Sequence, residues 1–205
     1  MSPIEVDYVG EGRSDDIIAR RMILAANGVP GTSYRRPLSG TGKDSLDARL
    51  RGLNKGTLFR NPVLALRDLD DDAACAPALL AVLLPDKNPK MLLRVCVNQV
   101  ESWLMADKEA YARFCGVPLR HIPDSPETVG NPKALIQSLG ESGKAIKLHR
   151  HFIRLKRTGV PMWGMLGEWH AEFAQKYWDP MRAAGSNRSP SLVRALARLK
   201  ELVEA

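Results

Sequence analysis

The chain has 205 residues, of which 44% are hydrophobic and 26% are charged, a composition typical of one large globular domain or of a domain with an appendage. Its three cysteines form no CxxC pair, so the sequence indicates neither a zinc site nor a disulfide framework. No signal peptide and no apolar run of membrane-spanning length is present. We therefore expect a cytoplasmic protein that does not associate with membranes.

The excess of positive charge lies in the C-terminal part of the chain. The net charge is +7, and residues 130–205 hold 13 Lys and Arg against 6 Asp and Glu, whereas residues 1–129 hold 17 of each. A neutral part with an acidic cluster, followed by a basic part, is typical of a metal centre beside a surface that binds polyanions. A soluble protein with one basic helical face has the same charge distribution, so charge alone leaves both interpretations open.

The first strand is predicted at residues 4–9, where apolar and polar side chains alternate. It ends in Gly10–Glu11–Gly12, and a helix follows, with Ser14 as its predicted N-cap and two aspartates in its first turn that favour the helix dipole. Glu11 is therefore expected at the carboxyl end of a strand, where ligands bind in open α/β sheets.

Residues 32–38 are interpreted as a second strand and residues 44–53 as a helix. The glycine-rich turn between them carries Lys43. It does not match the P-loop motif, because Pro37 stands where a glycine is required and Asp44 where Ser or Thr is required. We expect a loop that carries one cation rather than a nucleotide-binding loop.

An acidic run, residues 68–72, follows a short apolar strand predicted at residues 62–67. If the strand continues through Asp70, then Asp68 and Asp70 point to the same side and Asp71 points away. Two carboxylates on one side of a sheet edge suit a hard divalent cation such as Mg²⁺. Asp72 is a possible third ligand.

Glu101 stands just beyond another predicted strand. A helix is predicted at residues 73–84 and a continuous apolar strand at residues 91–97, which leads into the segment that contains Glu101. The order of strands and helices predicts an α/β fold with a mostly parallel sheet flanked by helices. The carboxylates that follow three separate strands would then converge on one edge of the sheet.

The amino-acid composition changes after residue 116. Prolines and glycines are frequent up to residue 132, and helices are predicted from Asn131, at residues 144–157, 166–177 and 191–202. We divide the chain into a metal-binding α/β domain, residues 1–115, and a basic, mainly helical C-terminal extension, residues 116–205.

Six cations are candidate contacts for a phosphate backbone: Lys43, Lys133, Lys147, Arg150, Arg154 and Arg157. The last four form a basic stripe on helix 144–157, opposite an apolar stripe of Ala145, Leu148, Phe152 and Leu155. The basic stripe is equally typical of a solvated helix face, and Lys133 of a surface lysine.

Aromatic and histidine side chains add further candidates. Three tryptophans can stack on bases or belong to the core: Trp163, Trp169 and Trp178. Three histidines are candidate proton shuttles: His149, His151 and His170.

The residues from Glu11 to Asp15 and from Asp68 to Ala73 resemble the Toprim domain, a metal-binding fold shared by topoisomerases, primases and the overcoming-lysogenization-defect nucleases. The family pattern is an acidic residue with glycine after the first strand and an Asp-x-Asp pair after the third. Residues 100–107 look like a segment of small stand-alone Toprim-like proteins of bacteria, many of which are suspected of a role in phage defence. The resemblance covers residues 4–107.

The resemblance implies that Glu11 is a metal ligand or general acid/base. It also implies that Asp68 and Asp70 bind Mg²⁺, with Mn²⁺ as an alternative, and that Asp72 or Glu101 completes one or two sites. We expect a nuclease that hydrolyses phosphodiester bonds in DNA or RNA, which two metal ions can assist. The alternatives are a non-catalytic nucleic-acid-binding subunit with a structural metal and a phosphotransferase acting on a small phosphorylated molecule. A protein partner, such as an ATPase or other defence component, is compatible with these expectations, and the oligomeric state is left open.

Overall fold

The protein folds around a four-stranded parallel sheet. The computed structural model describes residues 3–34, 42–58 and 60–204. The sheet order is β2-β1-β3-β4, with β1 at Glu5–Val9, β2 at Val29–Ser33, β3 at Val63–Asp68 and β4 at Met91–Cys96. All three neighbouring pairs of strands are parallel, which confirms the predicted α/β fold.

The two central strands and the edge strand β2 differ in sequence. All six residues of β3 are buried, as its apolar run predicts, whereas β2 has the sequence VPGTS and no buried residue. The prediction of a strand at residues 32–38 was wrong in its bounds, because β2 begins at Val29; residues 35–38 lie outside the described residues. Pro30 and Gly31 hide this strand from the periodicity, and a strand at the edge of a sheet tolerates both.

Ten α-helices are described in residues 3–34, 42–58 and 60–204. They are α1 Arg13–Ala25, α2 Lys43–Gly56, α3 Ala76–Leu83, α4 Val100–Ala106, α5 Lys108–Cys115, α6 Pro132–Glu141, α7 Ile146–Lys156, α8 Met162–Lys176, α9 Pro180–Gly185 and α10 Pro190–Glu204. The predicted C-terminal helices correspond to α6, α7, α8 and α10, and Asn131 caps α6 by accepting a hydrogen bond from the Ala134 amide. Sequence periodicity missed α4, α5 and α9, which have seven, eight and six residues.

Helices cover both faces of the sheet. On one face, α2 packs against side chains of β1, β3 and β4. Its residues Leu46 and Leu50 share a core with Val63 of β3 and Met91 of β4. On the other face, α1, α4, α8 and α10 share one core with the sheet, and α1 lies against α8. This core runs across the boundary proposed at residues 115 and 116, so the C-terminal helices stabilise the sheet directly, and the division into two parts remains a prediction. In the described ranges, no helix combines the length and apolarity needed to cross a membrane.

The parallel arrangement fixes the position of the acidic residues. Glu11 lies just after β1, Asp68 is the last residue of β3, and Glu101 lies in the first turn of α4, after β4. Because β1, β3 and β4 run in the same direction, their carboxyl ends meet at one edge of the sheet.

Candidate functional site

Glu11 joins the ends of two strands. Its Oε1 accepts a hydrogen bond of 2.9 Å from the backbone amide of Asp68, and its carbonyl oxygen accepts one of 2.8 Å from Gly42. The side chain is 18% exposed, so it remains open to a ligand. The turn after β1 is thus fixed to β3 and to the start of α2, and the Glu11 side chain lines a cavity.

Asp15 lies beside Glu11 and is buried. It belongs to the first turn of α1, and its Oδ2 accepts a hydrogen bond of 2.7 Å from the Gly12 amide, as in a capping box. A Cβ atom at position 10 would overlap the Cβ of Asp15, so Gly10 is needed for this close approach. Asp15 was expected to complement the helix dipole and was not among the predicted site residues.

Asp68 is buried at the end of β3, and both of its carboxylate oxygens have partners. Oδ1 accepts a hydrogen bond of 2.7 Å from the Val100 amide, and Oδ2 accepts one of 3.1 Å from Lys133 Nζ. Lys133, in the first turn of α6, is therefore placed among the carboxylates and is not a plain surface lysine.

Glu101 is buried in α4 and is held by a histidine. Its Oε1 lies 3.2 Å from Nδ1 of His170, whose Nε2 lies 2.9 Å from the Tyr111 hydroxyl. Its Oε2 is buried and has no hydrogen-bond partner among the described residues; the Nζ atom of Lys133 is 3.8 Å away. One carboxylate oxygen is thus desolvated without a donor, which is costly for a charged group.

These four acidic residues, Glu11, Asp15, Asp68 and Glu101, are called the carboxylate cluster below. Burial raises the pKa of Asp15 to about 7, and the charges of Glu11 and Glu101 add to the effect. Burial likewise raises the pKa of Glu11, and it raises that of Asp68 well above the ordinary value.

Glu101 differs from the other three. Burial would raise its pKa, but the hydrogen bond with His170 and the charge of Lys133 outweigh burial and lower it. Burial would also lower the pKa of Lys133, yet the surrounding carboxylates, led by Glu101 and Asp68, raise it. The cluster thus holds its lysine firmly charged, but this ammonium group does not offset the charge of all four acids.

Asp70 does not extend the strand. β3 ends at Asp68, and Asp70 adopts a positive φ of 45°, so the predicted strand alternation that would place Asp68 and Asp70 on the same side is wrong. Oδ1 of Asp70 accepts a hydrogen bond of 2.9 Å from Gln99. Its charge is close enough to contribute to the raised pKa of Glu11. Asp71 is exposed.

Asp72 belongs to a second group of charges, which we call the Arg67 network: Arg67, Asp47, Asp72 and Lys43. Arg67 is buried and lies 2.6 Å from Asp72 and 3.1 Å from Asp47, while Lys43 lies 2.7 Å from the other oxygen of Asp72. Hydrogen bonds from Lys43 and Arg67 lower the pKa of Asp72. Arg67 also reaches Glu11 at 3.5 Å, so the two groups adjoin.

The basic stripe of α7 lies apart from these contacts. Lys147 donates a hydrogen bond to the carbonyl of Arg113 and lines a cavity of about 590 Å³. Arg154 and Arg13 line another of about 280 Å³, and Arg150 and Arg157 are exposed. Among the six predicted phosphate contacts, Lys133 has ion pairs with members of the carboxylate cluster in the described part of the chain.

A cavity of about 420 Å³ opens onto the carboxylate cluster, and all four of its acids line this cavity. The three candidate tryptophans differ in exposure. Trp169 and Trp178 are buried in the core, whereas Trp163 is 79% exposed and lines the cavity. Of the three candidate histidines, His170 contacts Glu101 of the cluster. His149 and His151 instead bond to the backbone carbonyls of Gly140 and Met165.

The cluster fits a divalent cation in its chemistry. Within residues 3–34, 42–58 and 60–204, no group of three or more His, Cys, Asp or Glu side chains is already arranged to hold a metal ion. The donors are nevertheless the carboxylate oxygens that Mg²⁺ and Mn²⁺ prefer, and Oε2 of Glu101 has no hydrogen-bond donor among the described residues. Glu11, Asp68 and Glu101 are the residues that would hold the ion, with Asp70 nearby.

Comparison with known proteins does not assign this chain to a family: it matches no protein-family model, no curated protein and no solved structure.

Proposed function

We propose that the protein is a Mg²⁺-dependent phosphodiesterase of the Toprim-like type that cleaves nucleic acid. The main support is the buried Oε2 of Glu101, which accepts no hydrogen bond from any described residue and lies in a cavity lined by four acids and Lys133. A protein keeps such an arrangement at a cost in stability, so an acidic cluster at the carboxyl edge of a parallel sheet favours a functional site.

The roles follow from position and charge. Glu11, Asp68 and Glu101 would hold the metal, which when bound would polarise a phosphoryl oxygen and lower the pKa of a water molecule. Glu11 is partly exposed, and burial raises its pKa above the ordinary value, which favours a group that can accept and return a proton. The side chain of Lys133 is 44% exposed, so its ammonium group can also donate to a substrate phosphate.

His170 and Tyr111 act as positioning residues. His170 orients one oxygen of Glu101, and the Tyr111 hydroxyl bonds to the other ring nitrogen of His170, which fixes the orientation of the imidazole. This chain of contacts leaves the second oxygen of Glu101 directed to the cluster. The arrangement resembles the way in which outer residues orient metal ligands.

A polymer substrate is favoured over a small one by charge. The excess of Lys and Arg lies in residues 130–205, which also supply Lys133 and the exposed Arg150 and Arg157. Such contacts hold a phosphate backbone without reading its sequence. Cellular location, a protein partner and a role in phage defence remain predictions.

A cleavage assay tests the proposal. The purified protein is incubated with plasmid, single-stranded DNA and RNA in Mg²⁺, Mn²⁺ or EDTA, beside Glu11→Gln, Asp68→Asn and the control Glu172→Gln. Glu172 pairs with Lys176 on the surface, so its substitution removes a carboxylate outside the cluster. We expect metal-dependent cleavage by the wild type and the control, and a loss of at least about 100-fold in both cluster variants.

Cleavage that survives both cluster substitutions would refute the assigned site. Salt-sensitive binding of nucleic acid without cleavage in any metal would instead favour the non-catalytic subunit. Cleavage of none of the polymers, together with turnover of a small phosphate ester that depends on Glu11, would favour the phosphotransferase.

A further inference from the structure

One face of α8 forms a wall of the cavity. Trp163, Leu166, Gly167 and His170 lie three to four residues apart, so they share a side of the helix. His170 contacts Glu101, and the first three line the cavity. The helix therefore leads from the carboxylate cluster at His170 to an indole ring at its first turn.

Trp163 is unusual among the four tryptophans. Trp103, Trp169 and Trp178 are at most 5% exposed, whereas Trp163 is 79% exposed. One turn further along the same face, a Cβ at Gly167 would have no heavy atom within 4 Å. The indole thus stands at the mouth of the cavity beside an open space, a position in which a flat ring can lie against it.

We propose that Trp163 stacks on an unpaired base of a nucleic acid whose phosphate lies at the carboxylate cluster, so that the substrate is single-stranded or locally unpaired. This inference rests on the proposed phosphodiesterase function and specifies its substrate. Base stacking on aromatic side chains is the usual way in which proteins hold single strands, and it tolerates any base.

Duplex nucleic acid does not offer the same contact. Its bases are stacked on one another, so a face becomes available to the indole only where a base is splayed out. The cavity of about 420 Å³ lies in the size range of sites for small ligands, which suits one nucleotide unit rather than a double helix. Lys133, in the same cavity, supplies a positive charge for the adjoining phosphate.

Binding and fluorescence together test the inference. Oligothymidylate is titrated into the full chain in Ca²⁺, a hard cation used in place of Mg²⁺, and both the quenching of tryptophan emission and the anisotropy of a labelled strand are followed. The duplex of the same strand with oligoadenylate is the second probe. The variants are Trp163→Ala, Trp163→Phe and the control Val82→Ala, which truncates an exposed apolar side chain on α3.

We expect the single strand to quench wild-type emission, because Trp163 is the exposed indole. Trp163→Ala should weaken single-strand binding by about 5- to 140-fold, the range that one stacked base supplies. Trp163→Phe should keep most of the affinity while losing the quenching, and neither variant should change duplex binding. Val82→Ala should behave as the wild type.

Equal affinity of the wild type and Trp163→Ala for the single strand would overturn the inference, as would an equal loss for the duplex or no saturable binding to either probe. These failures are distinct from failure of the proposed function. If cleavage depends on Glu11 but not on Trp163, the phosphodiesterase stands and the stacking role falls. Binding that depends on Trp163 without cleavage would do the reverse.

Discussion

The two ends of the acidic run, Asp68 and Asp72, have opposite environments although only three residues separate them. Asp68 is buried in the carboxylate cluster and its pKa is raised well above the ordinary value by burial and by neighbouring acids. Asp72 lies between Lys43 and Arg67, whose hydrogen bonds lower its pKa. The difference shows that burial and the local balance of charge, rather than the number of carboxylates, set the direction of each pKa shift.

The charges of the Arg67 network balance one another, because it contains two cations and two carboxylates, whereas those of the carboxylate cluster do not. Arg67 is 2% exposed and bonds to carboxylates on both sides. In the cluster, Lys133 pairs with Asp68 and Glu101, and one oxygen of Glu101 has no hydrogen-bond partner among the described residues. We therefore assign the Arg67 network to stability and the cluster to ligand binding. Substitutions in the Arg67 network should therefore change stability, whereas substitutions in the carboxylate cluster should change metal binding.

Replacing Arg67 by Met should destabilise the folded protein by disrupting the Arg67 network. The substitution keeps much of the apolar volume but leaves Asp47 and Asp72 without their buried cation. Removing one partner of a buried ion pair costs about 3–5 kcal/mol. Because Asp47 and Asp72 are partly exposed, this is the upper limit of the expected fall in the free energy of unfolding. Urea denaturation followed by circular dichroism measures it.

Arg188→Met is the matched control, because Arg188 pairs with Glu109 on the surface. Exposed pairs contribute about 0–1 kcal/mol, so this variant should unfold close to the wild type. A similar loss in both variants would show that the buried position of Arg67 does not matter.

Replacing Asp15 by Asn should reduce the repulsion between the acids of the carboxylate cluster. The pKa of Asp15 rises from its ordinary 3.8 to about 7 on folding, so the folded state holds this proton more tightly than the unfolded state does. In the metal-free protein, the contribution of Asp15 to stability should therefore be greatest below about pH 3.8. It should be lost as the pH rises to about 7. Asn keeps an oxygen for the Gly12 amide and removes the charge.

We expect Asp15→Asn to stabilise the metal-free protein by as much as about 4 kcal/mol above pH 7 and to have little effect near pH 4. Thermal unfolding in EDTA across this range measures the difference. Asp16→Asn, one position further along α1, controls for the change of helix charge. Destabilisation by Asp15→Asn above pH 7 would contradict a repulsive cluster.

Replacing Tyr111 by Phe should have the smallest effect. It removes the hydroxyl that bonds to His170 in the support of Glu101, at a cost of about 1 kcal/mol. The Tyr111–His170–Glu101 contacts and the Arg67 network share no partner, so its effect should add to that of Asp72→Asn in a double-mutant cycle. A coupling well above about 0.5 kcal/mol would contradict the separation of the two groups.

The sequence predicted the strands that carry the site because their apolar runs are continuous. β1, β3 and β4 were expected close to their observed positions, and parallel topology then brought Glu11, Asp68 and Glu101 to one edge. Charge pairing could not be predicted in the same way. The contacts of Lys133 with Asp68 and Glu101 span 65 and 32 residues, and no local pattern specifies them.

Two other features depended on the packing of distant elements. Trp163 and Trp169 lie on the same helix, and their sequence context does not tell which faces the core; the packing of α8 against α1 decides it. The burial of Asp15 follows from the absence of a side chain at Gly10, five residues earlier. A glycine before the strand-end turn and an aspartate in the first helical turn were visible in the sequence, but both patterns are also typical of an ordinary helix start.

Calorimetric titration with Mg²⁺ at about pH 8, above the raised pKa of Asp15, measures whether the carboxylate cluster binds the ion. It compares the wild type, Asp68→Asn and Asp72→Asn. We predict saturable binding by the wild type and by Asp72→Asn, and no binding by Asp68→Asn. Binding that survives in Asp68→Asn and disappears in Asp72→Asn, or no binding by the wild type, would contradict the account.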